Sequence, residues 1–297
     1  MITSLERIAA ALERLAPQPR RSLDFRTCLA ARWHASREGG WLEAVEHPHW
    51  LRAGDLVAIN DALAKIDDNT RQFVAGLPAN NVLLTGARGT GKSSLVKAML
   101  ERYHGRGLRL IEVDKRHLVD VAAISQAVAA DPHRFIIFCD DLSFDAGDDG
   151  YRALKAALDG SIAGTYPNVL IYATSNRRHL LPEYFHENAA TQYVGDEIHF
   201  GEGVEEKVSL SERFGLWIPF YAFSQDDYLC AVERWVKALG GPLPGPRGKR
   251  REHFRKEALQ WALQRGSRSG RVAHQFARDW CGRTQAQAQK SAAKSTA

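Results

Sequence analysis

"LLTGARGTGKSSLVKAML", Leu83 to Leu100, decides the fold of this 297-residue chain. Gly86 to Ser93 fits the pattern GxxxxGK[ST] in full, with an apolar run before it and a helical pattern after it. Glycines let the backbone curl until successive N–H groups point inward, a geometry that suits phosphate oxygens. The helix that follows adds the positive end of its dipole. The candidate phosphate-binding residues are therefore Gly86, Ala87, Arg88, Gly89, Thr90, Gly91, Lys92, Ser93 and Ser94. Lys92 is placed to reach the β- and γ-phosphates, and the Ser93 hydroxyl to ligate Mg²⁺.

Working outward, short apolar runs alternate with helical patterns. "NVLLTG", "LRLIEVD", "RFIIFCDD", "NVLIYATSN" and "LWIPFYAF" read as five buried strands. Strands this apolar, separated by helices, predict a parallel five-stranded sheet sandwiched by helices, an α/β fold. Past Phe223 the strands stop. "QDDYLCAVERWVKAL", "EHFRKEALQWALQRG" and "SGRVAHQFARDWC" read as three helices of a small lid, the first two joined by the Gly/Pro loop "GGPLPGPRGKRR". The expected boundaries are 1–50 for an N-terminal helical segment, 51–223 for the nucleotide-binding domain, 224–283 for the lid and 284–297 for a disordered tail. Trp33, Trp41 and Trp50 are expected to pack the first segment against the main domain.

Composition limits the class. Hydrophobic residues make up 44% and charged residues 25%, ordinary globular values. No run reaches the length of a membrane-spanning helix, and the first fifteen residues lack the apolar centre of a signal peptide. Cys28, Cys139, Cys230 and Cys281 form no CxxC pair, which argues against zinc sites and disulfides and suits a reduced, cytoplasmic setting. The net charge of +5 is uneven: residues 247–297 carry 13 Lys+Arg against 3 Asp+Glu, a net of +10, which leaves 27 against 32, or −5, for residues 1–246. The basic part is either a solvated helix face or a surface that attracts nucleic acid.

A phosphate-binding loop needs a carboxylate for Mg²⁺. Asp140 ends the apolar strand "FIIFC", where ligands bind in α/β sheets, and is the metal candidate. Asp141 beside it either orients and deprotonates the attacking water or caps a turn. Asp145, Asp148 and Asp149 read as loop and cap residues. The next strand also ends in a polar group, Asn176, an amide able to hold the attacking water or contact a γ-phosphate without competing for metal. His186 and His199 have no partner at metal-ligand spacing.

With this loop, two acidic residues on the third strand and an Asn-terminated fourth strand, the chain resembles the AAA+ ATPases over roughly Trp50 to Trp280. In that resemblance Asn176 is the sensor 1 residue. "SLSERFG" looks like the box that carries the arginine finger, which makes Arg213 the candidate for a group that reaches a neighbouring subunit's nucleotide. Arg177 and Arg178 are rivals. "GSRSGRVAHQF" looks like the start of a lid helix with Arg271 as sensor 2 and Arg268 as the fallback. Each arginine also has a plain reading as solvated surface. "GDLVAIND", Gly54 to Asp61, looks like the stretch that lines the adenine pocket. The strings "GTGKSSLVKA", "DDLSF", "YATSNRRHL" and "SLSERFG" bring the chain nearest to the bacterial AAA+ group known as domain of unknown function 815. It departs from the usual AAA+ Asp-Glu pair, since Asp141 is one methylene shorter than glutamate.

The resemblance implies ATP and Mg²⁺ as ligands and ATP hydrolysis in a homo-oligomer that acts on a protein or nucleic-acid partner. Two further readings stay open: a P-loop kinase acting on a small molecule, and an ATP-dependent switch that barely hydrolyses. The acidic, aromatic insertion from Glu183 to Lys207 is either a functional loop or ordinary surface.

Overall fold

In the computed structural model, residues 23–36, 39–144, 148–159, 166–177, 192–194, 197–199 and 212–295 are described. The five apolar runs are strands β3 (Val82–Gly86), β4 (Leu108–Val113), β5 (Arg134–Cys139), β6 (Val169–Ser175) and β9 (Leu216–Phe220). They pair in parallel in the order β4-β5-β6-β3-β9, so β6 lies between the strand that enters the phosphate loop and the strand that ends at the acid pair. Registers such as Leu84 opposite Thr174 and Phe138 opposite Tyr172 bring the C-terminal ends of these strands level. Loop, acids and amide therefore meet at one edge.

The strands are apolar throughout because both faces are covered. Val82, Leu84, Ile136, Phe138 and Tyr172 point into a core with helices α1 (Asn60–Val74) and α2 (Lys92–Tyr103). Leu83, Ile137, Cys139, Ile171 and Ala173 point into the opposite core, with helices α3 (Val121–Val128) and α4 (Asp149–Asp159). Removing one such aliphatic side chain from water contributes about 1.5–3 kcal/mol. The buried Tyr172 hydroxyl is satisfied by Thr70 at 2.8 Å and Asn69 at 3.1 Å, and burial pushes its pKa up to about 12.

Among the described residues two further strands extend the sheet to seven, which corrects the five-strand count and replaces helix by strand over Ala30–Ser36 and Gly39–Ala44 of the 1–50 segment. β1 (Ala30–Ser36) pairs in parallel with β4, and β2 (Gly39–Ala44) pairs antiparallel with β1. Ala31 and Trp33 face the core while Arg32 faces out and pairs with Glu112 of β4. Trp33 is buried, with its indole N–H donating to Asp120 at 2.9 Å, whereas Trp50 stays about half exposed. Residues 1–22 of the expected N-terminal segment lie outside the described residues.

The three lid helices are α5 (Gln225–Ala238), α6 (Lys249–Gln264) and α7 (Gly270–Ser295). A capping box between Ser224 and Asp227 starts α5. The helices close on their own core of Tyr228, Val232, Phe254, Ala258, Ala273 and Phe276. The tail expected to be disordered instead continues α7 as helix to Ser295. Ala, Gln and Lys, which dominate it, are good helix formers. In the insertion, Gln192–Val194 (β7) and Glu197–His199 (β8) form a small antiparallel ladder, and His186 lies outside the described residues. All four cysteines are free.

Candidate functional site

Three glycines with positive φ shape the loop between β3 and α2: Gly86 at +127°, Gly89 at +75° and Gly91 at +104°. A side chain at Gly86 would place its Cβ 1.9 Å from the Phe220 carbonyl oxygen, so both conformation and space exclude one. Thr90 Oγ1 donates to the Ala87 carbonyl at 2.9 Å and fixes the turn. Lys92 opens α2 and is buried. Its ammonium donates to the carbonyls of Gly86 (2.7 Å) and Ala87 (2.8 Å) and to Asn176 Oδ1 (3.0 Å). Burial lowers its pKa, Asp140 and Asp141 oppose that shift, and Arg271 and Arg88 add to it.

Ser93, one residue on, donates to Asp140 Oδ1 at 2.6 Å. The sheet register brings Thr174 to the same oxygen, where its hydroxyl donates at 2.5 Å. Asp141 has φ +54°, and its carboxylate accepts a hydrogen bond from Asn176 Nδ2 and lies 3.9 Å from the Arg88 guanidinium. Lys92, Ser93, Asp140, Asp141 and Asn176 thus form one connected constellation. The hydroxyl of Ser93 against a carboxylate is a hard-oxygen donor pair of the kind Mg²⁺ takes. Among the described residues no group of three or more His, Cys, Asp or Glu side chains is placed to hold a metal. A cation here would draw its other ligands from phosphate and water, which is the habit of Mg²⁺.

These residues line a cleft of about 810 Å³ that runs from the acid pair to the lid. Apolar and aromatic side chains also line it, among them Leu56, Val57, Phe223, Trp235 and His274. The Trp235 and His274 rings lie 4.5 Å apart, and burial lowers the His274 pKa, helped by Arg278 and His49. Arg234 of α5 donates to the carbonyls of Gly54 and Leu56, tying the lid to the segment expected beside the base. Gly270 N–H, at the start of α7, donates to the Gly89 carbonyl at 2.9 Å, so the lid touches the loop directly. Arg271 follows it and lines the cleft.

Not every candidate joins this cluster. Arg213 lies just before β9 and pairs with Asp159 at the end of α4, and neither residue is among those that line the cleft. Arg177 borders a second cleft of about 700 Å³ on the other side of the acid pair, with Arg32, Lys115 and Arg116. Arg268 is exposed and outside both linings. Arg178 lies outside the described residues. Sequence reasoning passed over Thr174, Trp235 and His274. Thr174 carried a usable signal, a hydroxyl two residues before the terminal Asn176 on the strand next to the acid strand.

The family model described as "Protein of unknown function (DUF815)" matches residues 26–284. No curated protein matches the chain. Similar solved structures include the Thermotoga maritima RuvB Holliday junction branch migration motor, 14% identical over 76% of this chain and 70% of that one, with a TM-score of 0.42. Another is the Aeropyrum pernix Orc1 protein in complex with DNA, 15% identical over 74% of this chain and 58% of that one, with a TM-score of 0.49.

Proposed function

The chain belongs to the DUF815 family, and from that premise we propose that it is a P-loop ATPase of the AAA+ type that binds MgATP and hydrolyses it to ADP and phosphate. The observation that carries this reading is the contact set around one loop: Lys92 with Asn176, Ser93 with Asp140, and Asn176 with Asp141.

In this reading the loop amides and the α2 N-terminus hold the phosphates, and Lys92 exchanges its loop carbonyls for β- and γ-phosphate oxygens. Mg²⁺, held by Ser93 and Asp140, would neutralise charge on those oxygens. Asn176 and Asp141 orient a water molecule in line with the γ-phosphorus. The water oxygen forms the new P–O bond, its proton passes to Asp141, and the β–γ bridge bond breaks with its electron pair leaving on ADP. Arg271 faces the phosphates from the lid, and its contact-bearing neighbour Gly270 relays loop changes into α7. Arg213, outside the lining of its own cleft, acts on the nucleotide of an adjacent copy in a homo-oligomer. The helical lid, together with Arg213 and Arg271, favours ATPase over small-molecule kinase. The second cleft beyond the acid pair is the feature that an acceptor-binding kinase would use.

The two acids give the first test. Asp140→Asn is expected to lose Mg²⁺-dependent hydrolysis, because the amide oxygen is a poor substitute for a charged ligand. Asp141→Asn is expected to keep nucleotide affinity and to turn over about 10²–10⁴-fold more slowly, the usual value of a positioned base. Phosphate release and nucleotide titration measured together check both, and normal turnover in Asp141→Asn assigns that residue to the turn alone.

The work done with ATP falls on a protein or nucleic-acid partner. The basic C-terminal part, with exposed Lys249, Arg250, Lys256, Arg268 and Arg278, supports a nucleic-acid surface. Binding to a DNA duplex should then weaken steeply as salt rises, by about 0.9 in log K per log salt for each phosphate contacted. Fluorescence anisotropy over a salt series measures this, and no binding at low salt leaves a protein partner. No helix of the described residues is long and apolar enough to cross a membrane, and a cytoplasmic setting belongs to the same reading.

A further inference from the structure

One hydroxyl joins the two acids. Thr174 is buried near the C-terminal end of β6, and its Oγ1 makes two hydrogen bonds of opposite sense. Asp140 Oδ1 lies 2.5 Å away and, as a carboxylate oxygen, can only accept, so the hydroxyl proton goes there. The Asp141 backbone N–H lies 2.9 Å away and can only donate, so a lone pair of the same oxygen receives it. Neither bond can reverse. The Thr174 carbonyl also accepts from the Leu142 N–H at 2.7 Å, and Ser175 Oγ donates to the Leu142 carbonyl at 2.8 Å. The chain is thus fixed on both sides of Asp141.

That hold bears on an uncommon backbone. The Asp141 φ of +54° is left-handed, rare for residues with a side chain though Asp enters it more readily than most. In this conformation its carboxylate meets Asn176 Nδ2, and Asn176 in turn accepts from Lys92. The β-branch of threonine restricts its side-chain rotation, which keeps the hydroxyl aimed at both partners.

We propose that Thr174 is a positioning residue that sets the metal carboxylate of Asp140 and the water-facing carboxylate of Asp141 relative to each other, through one hydroxyl. The proposal rests on the ATPase reading of the acid pair. Removing the hydroxyl should loosen the metal ligand and the base together while leaving the phosphate loop intact.

The experiment measures affinity for a fluorescent ATP analogue across a series of free Mg²⁺ concentrations, together with phosphate release, for wild type, Thr174→Val and Thr174→Ser. Thr174→Val is expected to keep metal-free nucleotide affinity, to need about 10-fold more Mg²⁺ at the midpoint and to lose about 10- to 100-fold in kcat, the range for one hydrogen bond to a charged group. Thr174→Ser retains the hydroxyl and should stay within about threefold of wild type on every readout. A wild-type Mg²⁺ midpoint and kcat in Thr174→Val overturn the proposal. So does equal impairment of both variants with metal-free affinity also lost, which marks a packing role. Should Thr174→Val fail to fold, Thr174→Ala removes the same hydroxyl without a methyl against Asp140 and carries the test. If wild type releases no phosphate, the ATPase reading fails, and the Mg²⁺ midpoints still decide whether Thr174 positions the metal carboxylate.

Discussion

Lys92→Ala is expected to bind MgATP about 100-fold more weakly or worse and to release no phosphate above background. The estimate follows from the loss of a cation with charge-assisted bonds to two phosphate groups, each worth about 1.5–3 kcal/mol. The structure adds a reason for the effect to exceed that of an exposed lysine. Lys92 is buried and already desolvated, and its three donors are ordered on Gly86, Ala87 and Asn176 before any ligand arrives. Exchange of those acceptors for phosphate oxygens costs little further ordering. The same contacts mean that the alanine variant leaves two loop carbonyls and Asn176 without their donor. Thermal unfolding of the variant therefore accompanies the binding titration. A folded Lys92→Ala protein with wild-type turnover would remove the loop from the catalytic account altogether.

The second large effect belongs to Arg213. Arg213→Ala should bind ATP with near-normal affinity and hydrolyse it about 10³–10⁵-fold more slowly, the range for arginine fingers where they stabilise charge on a transferred phosphoryl group. A group that acts only in the transition state, and from another chain, scarcely alters ground-state binding within one subunit. Arg213 stands outside the lining of its own cleft and pairs with Asp159, so its loss should leave the P-loop, Asp140 and Asn176 in place. Mixing Arg213→Ala with Lys92→Ala protein should restore part of the activity, because some interfaces then join an intact loop to an intact finger. Asp159→Ala separates the finger role from simple support of the Asp159 pair. It should leave hydrolysis far closer to wild type than Arg213→Ala does. Mixed subunits that exchange yet remain inactive would place Arg213 in cis or in packing.

The parts of this site that were legible in the sequence share a physical cause. β3, β5 and β6 are buried on both faces, so each is a continuous apolar run whose end is marked by a polar residue: Thr85-Gly86, Asp140 and Asn176. Local pattern and tertiary role coincide there. They do not coincide in β1, where "AARWHAS" mixes small, charged and aromatic residues and owes its strand form to pairing with β4 some eighty residues away. Strand preference depends on neighbours more than on composition. The polar end of α7 illustrates the opposite case, where good helix formers continue a helix that hydrophobic pattern alone did not extend.

Side-chain geometry was the least legible level. That Asp141 takes a positive φ, and that Thr174 bonds both acids at once, depend on the register Cys139–Ala173 between β5 and β6 and on the turn after β5. No spacing along the chain encodes either. The Arg213–Asp159 pair likewise joins residues separated by more than fifty positions. The cleft lining combines Leu56 and Val57 with Trp235 and His274 of the lid, which only the docking of α5 and α7 brings together.

Steady-state phosphate release from MgATP, with no acceptor added, tests the central claim most directly. The full chain, at concentrations where light scattering shows its assembled mass, is compared with Lys92→Ala and with wild type in excess chelator. The account predicts release that both chelation and Lys92→Ala abolish. Phosphate release from wild type no faster than from Lys92→Ala, in folded and nucleotide-saturated protein, would contradict it.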